Sequence, residues 1–440
     1  MRALASPHEQ IHSLSPCRRS SNHYLFGVIS YSEALAKIAD RSPADQVRTP
    51  SETVPLMLAD GRILAVAITA QEDIPGADNS AMDGYAVRSA DTGSATPDQP
   101  VWLSIAGEAP AERPFDAAVG PDQAVRIMTG APIPTGADAV VMVEKTEESD
   151  GRVGFREPVV IGTAIRRAGE DIRSGSDVLS AGRRLSPPDL GLLASLGVTN
   201  VPVRIRPILA LISTGSELVE PFDLSGPGRI RNSSAPPILA AAARLGVETI
   251  DLGICGDDPE ELALLIETGL RYDILLTTGG VSAGAYDHVQ HLLPAAGVDI
   301  AFHQVAIKPG KPVMFGTHTD GDEKTFVYGL PGNPVSSYVT TELFVRPLVE
   351  RMLGLPDRDR TIGARLAGEV TKKDSKRHFV RVFADFSGKD GPIATPAETQ
   401  SSGAMTSLSD ANGLLIFEEE EQMLPAGTDV RILLLPGSVC

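Results

Sequence analysis

Four short segments place glycine beside small hydroxyl, proline or charged residues, each directly after an apolar run. They are Ser213-Thr214-Gly215-Ser216-Glu217, Gly279-Gly280-Val281-Ser282-Ala283-Gly284, Lys308-Pro309-Gly310-Lys311-Pro312 and Leu330-Pro331-Gly332-Asn333-Pro334-Val335-Ser336. Glycine lets a ligand approach backbone N–H groups closely, and N–H groups at loop and helix starts favour anions. Four such loops on one sheet edge describe a cradle for a phosphate or another oxyanion. Lys308 and Lys311 add to it. From Ile300 to Thr319 they are the only charged side chains when histidine is neutral. Gly280-Val281-Ser282-Ala283-Gly284 also fits the pattern of a nucleophile elbow, which needs a downstream acid and histidine. His288, His291, His303 and His318 are available, so a serine hydrolase acting through Ser282 stays open. Carboxylates recur at loop positions: Asp83 in NSAMDGYA, Asp171 in GEDI, Asp257-Asp258 and Asp287. Asp258 has a sufficient role as a helix N-cap. Asp257 and Asp287 close neighbouring β-α units and suit a Mg²⁺ shared with substrate phosphates.

These loops require a frame. Between 207 and 350, apolar strands Ile208–Ile212, Val247–Leu252, Asp273–Thr278, Ile300–Ile307 and Thr325–Tyr328 alternate with helical segments. The helices are expected at Pro236–Leu245, from Asp258 (with Pro259 first and Glu261 completing a capping box), at His288–Leu293, and from Asn333-Pro334. Such alternation predicts a doubly wound, mainly parallel sheet, whose ligands lie at the carboxyl ends of the strands. Before it, residues 30–47 have helical spacing with Ser32 as N-cap, and a second helical piece is expected around Leu56–Ile68. Short β-rich runs follow (Val101–Ile105, Ala124–Met128, Ala139–Val143, Val159–Ile161), predicting a small β module with tight turns. Ser186–Gly197 reads as a capped helix leading out of it. After about 360, Phe379–Phe383, Gly413–Phe417 and Val430–Leu434 predict a small barrel or sandwich. The run Glu418–Glu421 reads as a solvated turn. The domain plan is a disordered tail 1–27, an N-terminal region of two subdomains 28–205, an α/β domain 206–355, and a small β-barrel 356–440.

Composition narrows the function. The 440 residues carry 39 Lys and Arg against 57 Asp and Glu, a formal charge of −18. A general nucleic-acid or anionic-membrane surface needs a basic face and is disfavoured. Cys17, Cys255 and Cys440 lie far apart, which argues against a disulfide framework or a zinc site and fits a reducing cytosol. No apolar run approaches a membrane helix. Arg18-Arg19 precede polar Ser20-Ser21-Asn22-His23, so the start does not read as an export signal.

Taken together, these segments resemble the molybdopterin molybdenumtransferase family, the MoeA and gephyrin E-domain family. The resemblance spans roughly 30–436 and runs in order: DNSAMDGYA from Asp78, RIMTGA from Arg126, GEDI from Gly169, then TGSEL, TTGGVS, IKPGKP and LPGNPVS. It implies an α/β multidomain chain with a molybdopterin-binding α/β domain, an N-terminal helical plus β-rich region and a C-terminal small β-barrel. It implies insertion of molybdate into adenylylated molybdopterin with Mg²⁺-dependent release of AMP, in a cytoplasmic homodimer. The active site would form between the α/β domain of one subunit and the SAMDGYA module of the other. Carried over by position, Asp83, Thr129, Asp171 and Glu217 are the catalytic candidates. Gly279, Gly280, Ser282, Lys308, Lys311, Pro331, Pro334, Ser336, Arg381 and Ser402 are the substrate-binding candidates, Lys308, Lys311, Arg381 and Ser402 for molybdate. Asp257 and Asp287 are the Mg²⁺ candidates. A molybdopterin adenylyltransferase and molybdoenzyme chaperones are the protein partners the resemblance suggests. Gln304 stands where members often carry a lysine, and Arg377 is expected to restore part of that charge. Besides the hydrolase, a non-catalytic scaffold that kept the fold is the other alternative.

Overall fold

The structure is a computed structural model that describes residues 27–223, 226–281, 287–356 and 358–436. The tail expected over 1–27 lies outside these residues except for Gly27, and so does Ser282. The first helix, Tyr31–Arg41, begins at Ser30 rather than Ser32, with a reciprocal capping box between Ser30 and Glu33. It buries Ala34 and Ile38. Pro43 lacks an N–H and restricts Ser42, so the expected helix 30–47 breaks there and restarts as the short Ala44–Val47. The helix expected around Leu56–Ile68 is absent. Only a 3₁₀ turn at Leu56–Leu58 forms, between strands Ser51–Pro55 and Ile68–Thr69. The β module holds a six-stranded sheet in the order 139–142, 84–87, 123–127, 101–109, 152–155, 146–149. Val159–Ile161, expected as a strand, is irregular, with Val160 and Ile161 facing solvent.

The α/β sheet runs Glu248–Cys255, Ile208–Thr214, Ile274–Thr278, Glu323–Leu330, Met314–Asp320, Asp299–Phe302. The first four strands are parallel, and Met314–Asp320 is antiparallel to both of its neighbours. Strands covered on both faces lose polar alternation, which explains their continuous apolar runs. Leu209, Leu211, Ile274 and Leu276 enter one core, while Ala210, Ile212 and Leu275 enter the other. The first core also takes in Ala34 and Ile38 of the N-terminal helix and Phe379 and Leu414 of the C-terminal domain. Hydrophobic burial therefore ties three parts of the chain into one body.

Two features differ from the strand pattern expected here. The run Ile300–Ile307 is not one strand: it ends at Phe302, and Ile307–Lys308 pairs instead with Arg377–His378 of the C-terminal domain. Met314–Asp320 is a strand that the apolar pattern did not reveal. The C-terminal strands Thr361–Leu366, Arg377–Asp385, Ile393–Pro396, Gly413–Phe417 and Asp429–Leu434 close on themselves through pairing of 377–385 with 413–417, forming a five-strand barrel. Glu418 and Glu419 are not merely solvated, since both pair with Arg377, at 2.5 and 3.0 Å.

Candidate active site

The parallel strands end in a cleft of about 560 Å³. Glu217, Asp257, Asp287, Gly279, Gly280, Pro331 and Pro334 all line it. The loops are fixed from beneath. Asn232, itself buried, donates to Ser213 Oγ at 2.8 Å and accepts from the Ala235 N–H that opens helix Ala235–Leu245. Ser216 Oγ accepts the Asp257 N–H at 2.9 Å, joining two strand ends. Ser234 Oγ donates to the Gly332 carbonyl at 3.1 Å. Gly279 has φ +87°, and a Cβ there would meet the Thr214 carbonyl oxygen at 2.6 Å. Only glycine fits both that conformation and that approach. The Asp258 side chain accepts from the Glu260 and Glu261 N–H groups, as a helix cap should.

Beside the cleft lies a second pocket of about 450 Å³. Lys308, Lys311, Ser336 and Ser402 line it, and so does Lys376 from the barrel. Pro312 and Asn333 border both cavities, so the two adjoin. The Val335 N–H donates to the Ser402 carbonyl at 3.3 Å, which holds barrel and α/β domain together at the pocket.

Arg381 differs from its expected role. It is fully buried and does not line the pocket. Its Nε donates to Ser407 Oγ at 2.9 Å, and Nη2 donates to the carbonyls of Thr399 (3.2 Å) and Ser401 (3.0 Å). Gln400 exchanges two hydrogen bonds with the Arg381 backbone. Arg381 thus clamps the loop 399–402 that carries Ser402, and burial pushes its guanidinium pKa down. Arg377 is also spent. It pairs with Glu418 and Glu419 and lies over the Tyr31 ring at 5.2 Å. The added cation is its neighbour Lys376, whose Nζ sits 3.4 Å from Asp374. Burial favours a neutral Asp374. The His378 hydrogen bond and the Lys376 N–H outweigh that and hold its carboxyl at about 2.

In the β module, Asp83 Oδ1 accepts both the backbone N–H and the hydroxyl of Thr129, each at 2.7 Å. These bonds hold the exposed Asp83 carboxyl below its ordinary range. Asp171 is placed separately, its N–H bonded to the Ile74 carbonyl. None of the three lines the cleft of its own chain. Residue types alone did not single out Lys376 or Asn232. Lys376 was hidden in the run Lys372-Lys373-Asp374-Ser375-Lys376-Arg377, and only the Ile307–Lys308 pairing brings that run to the pocket. Asn232 offered no signal beyond preceding a helix.

Residues 29–197 match the family model "MoeA N-terminal region (domain I and II)". Residues 210–351 match "Probable molybdopterin binding domain", and 363–435 match "MoeA C-terminal region (domain IV)". A Mycobacterium tuberculosis protein named molybdopterin molybdenumtransferase 2 is 40% identical over 388 residues, covering 86% of this chain and 94% of its own. This chain belongs to the molybdopterin molybdenumtransferase family. A Synechococcus elongatus member is 38% identical over 421 residues, covering 92% of this chain and 99% of its own. Two solved structures of the Pyrococcus horikoshii molybdopterin biosynthesis MoeA protein align with TM-scores of 0.79 and 0.77, at 32% and 30% identity. Each covers 93% of this chain and 100% of that one. The family is one of transferases in molybdenum cofactor biosynthesis, and the closed barrel and α/β domain are its fold. No helix of the described residues is long and apolar enough to cross a membrane.

Proposed function

We propose that this chain inserts molybdate into adenylylated molybdopterin and releases AMP. The observation that carries this reading is the pair of adjoining cavities, one lined by carboxylates and loop glycines, the other by three lysines. The cleft suits the pyrophosphate: N–H groups around Gly279 and Gly280 face a bound anion at strand ends. The lysine pocket suits a tetrahedral dianion. Lys308, Lys311 and Lys376, with the Ser336 and Ser402 hydroxyls, offer charge-assisted donors to its oxygens. Insertion exchanges two molybdate oxygens for the two dithiolene sulfurs. Those oxygens leave as two waters, taking two thiol protons and two further protons, and splitting the anhydride consumes one water.

Mg²⁺ binds through one or two carboxylates plus substrate phosphates and waters. Asp257 and Asp287 both line the cleft and would supply those two carboxylates. Bound there, Mg²⁺ would supply Lewis-acid stabilisation of the phosphoanhydride. Glu217 borders the same cleft and positions or relays a proton during anhydride splitting. Asp83, with Thr129 and Asp171, serves the cleft of a partner copy in a homodimer, a reading supported by their absence from the lining of the cleft of their own chain. The dithiolene requires a reducing compartment, which fits a cytosolic setting. The test is incubation with adenylylated molybdopterin, Mg²⁺ and molybdate, reading AMP release and reconstitution of a cofactor-free molybdoenzyme. AMP release without reconstitution, or neither, would reject the reading.

A further inference from the structure

A third cavity, of about 800 Å³, lies away from the substrate cleft where the N-terminal region, the α/β domain and Leu355, Pro356, Arg358 and Arg360 meet. Six arginines line it: Arg183, Arg184, Arg244, Arg346, Arg358 and Arg360. In a chain of net charge −18 this concentration needs a cause. Only part of the charge is matched. Arg183 pairs with Asp189 at 2.9 Å, and Arg346 and Arg360 share the buried Glu342 at 3.2 Å each, Arg346 also reaching Glu350 at 2.8 Å. Among the described residues Arg184 makes no carboxylate ion pair; its Nη1 and Nη2 donate to the carbonyls of Gly61 (2.9 Å) and Leu245 (2.7 Å). Arg244 and Arg358 have no acidic partner among the described residues. Among the described residues, six guanidiniums against Asp189, Glu342 and Glu350 leave three cations around the cavity. Burial first, and then the neighbouring Arg346, push the Arg184 pKa down, while Glu350 opposes them.

The walls are set before any ligand arrives. A Cβ on Gly182 would meet the Gly354 carbonyl at 2.6 Å, so the two loops that bound the cavity are in contact. Glu342, 1% exposed, fixes the Arg346 and Arg360 forks. Guanidinium forks match phosphate oxygens bidentately, and a cavity of one charge sign focuses counter-ions. We propose that this cavity is a binding site for a small oligophosphate, free or carried on a nucleotide. Helix Ala235–Leu245 connects it to the cleft: Ser234 before its first residue borders the cleft, and Arg244 near its end borders the arginines. The helix sets them roughly 15 Å apart.

The test is calorimetric titration with tripolyphosphate and, separately, with ATP. A Lys308→Ala/Lys311→Ala background removes anion binding at the lysine pocket. Binding should persist in that background, and beside any binding at the pyrophosphate cleft the arginine-dependent part should saturate at one site per chain. Adding Arg244→Ala/Arg358→Ala should weaken it at least tenfold while melting temperature stays unchanged, because neither arginine makes a buried bond. Tighter binding of ATP than of tripolyphosphate assigns the site to nucleotides, and equal binding assigns it to the phosphate chain alone. Absence of binding in the lysine background, or binding untouched by the arginine changes, would overturn the proposal. So would an arginine variant that turns a dimer into monomers with oligophosphate affinity intact, which would assign the arginines to acidic residues of a second copy.

Discussion

At the residue scale, under the proposed reaction, side chains that line the two adjoining cavities divide from those that hold the lining loops in place. Lys311→Ala and Lys376→Gln each remove a charge-assisted contact worth roughly 1.5–3 kcal/mol, so half-saturating molybdate should rise about ten- to a hundredfold. Raising molybdate in the AMP-release assay should restore turnover in both. Arg381→Ala should behave differently, because its guanidinium is buried and bonded to Ser407, Thr399 and Ser401. Each buried acceptor that loses its donor costs about 1–3 kcal/mol, so the melting temperature should fall and molybdate should not restore activity. An Arg381→Ala protein with wild-type melting and a molybdate-rescued defect would return that side chain to the pocket. Asp287→Asn should lose AMP release by orders of magnitude across a Mg²⁺ titration, since a hard cation prefers anionic oxygen. Asp258→Asn should be mild, because Asn caps nearly as well as Asp. Equal defects in the two would remove Asp287 from the metal site. Asp374 gives a pH signature. Its carboxyl is lowered from 3.8 to about 2, so its stabilising bonds to His378 and Lys376 are fully present above about pH 4 and lost as pH falls through 2. The melting difference between wild type and Asp374→Asn should shrink steeply between pH 4 and pH 2, and a difference undiminished across that range would contradict it.

At the element scale, legibility in the sequence followed how local the cause was. Strands such as Ile274–Thr278 are apolar on both faces, and helix starts such as Asp258-Pro259 carry their caps in sequence, so both could be read directly. The strand Met314–Asp320 could not, because its burial fades into exposed Thr319 and Asp320 and its register depends on distant partners. The pairing of Ile307–Lys308 with Arg377–His378 spans about seventy residues and has no local signature. That pairing decides which barrel residues reach the lysines, so Lys376 stayed hidden and Arg377 was overvalued. The cleft glycines were legible because loop chemistry is local, and they allow a comparison. Gly279→Ala should lower both melting temperature and pterin binding, since its φ is +87° and its Cβ would strike Thr214. Gly197→Ala shares a positive φ, +70°, with open space around it, so it should cost only the backbone term, about 1–3 kcal/mol at most. Pterin affinity equal to wild type in Gly279→Ala would show that the loop bends away without consequence.

At the scale of the whole molecule, one hydrophobic core joins the N-terminal helix, the sheet and the barrel, whereas the β module packs its own cores around Tyr85 and Val125. The lysine pocket depends on that union, because two of its walls come from the sheet loops and one from the barrel. Asp83 and Thr129, bonded to each other at the surface of the module, do not line the cleft of their own chain. In the proposed homodimer each module would reach its partner's strand ends, since a symmetric interface repeats every contact twice. This arrangement makes a quantitative expectation. At limiting molybdate, Asp83→Ala and Lys311→Ala subunits should each be nearly inactive alone, with one damaged module or one damaged pocket at every site. Mixed and reassembled at random, half the dimers carry one subunit of each kind, and one of their two sites combines the intact module with the intact pocket. Activity should therefore recover to about a quarter of the wild-type value. Recovery should require subunit exchange and should be absent when the two proteins are mixed without it. A mixture that stays inactive after exchange has been verified by mass would place Asp83 in the service of its own chain.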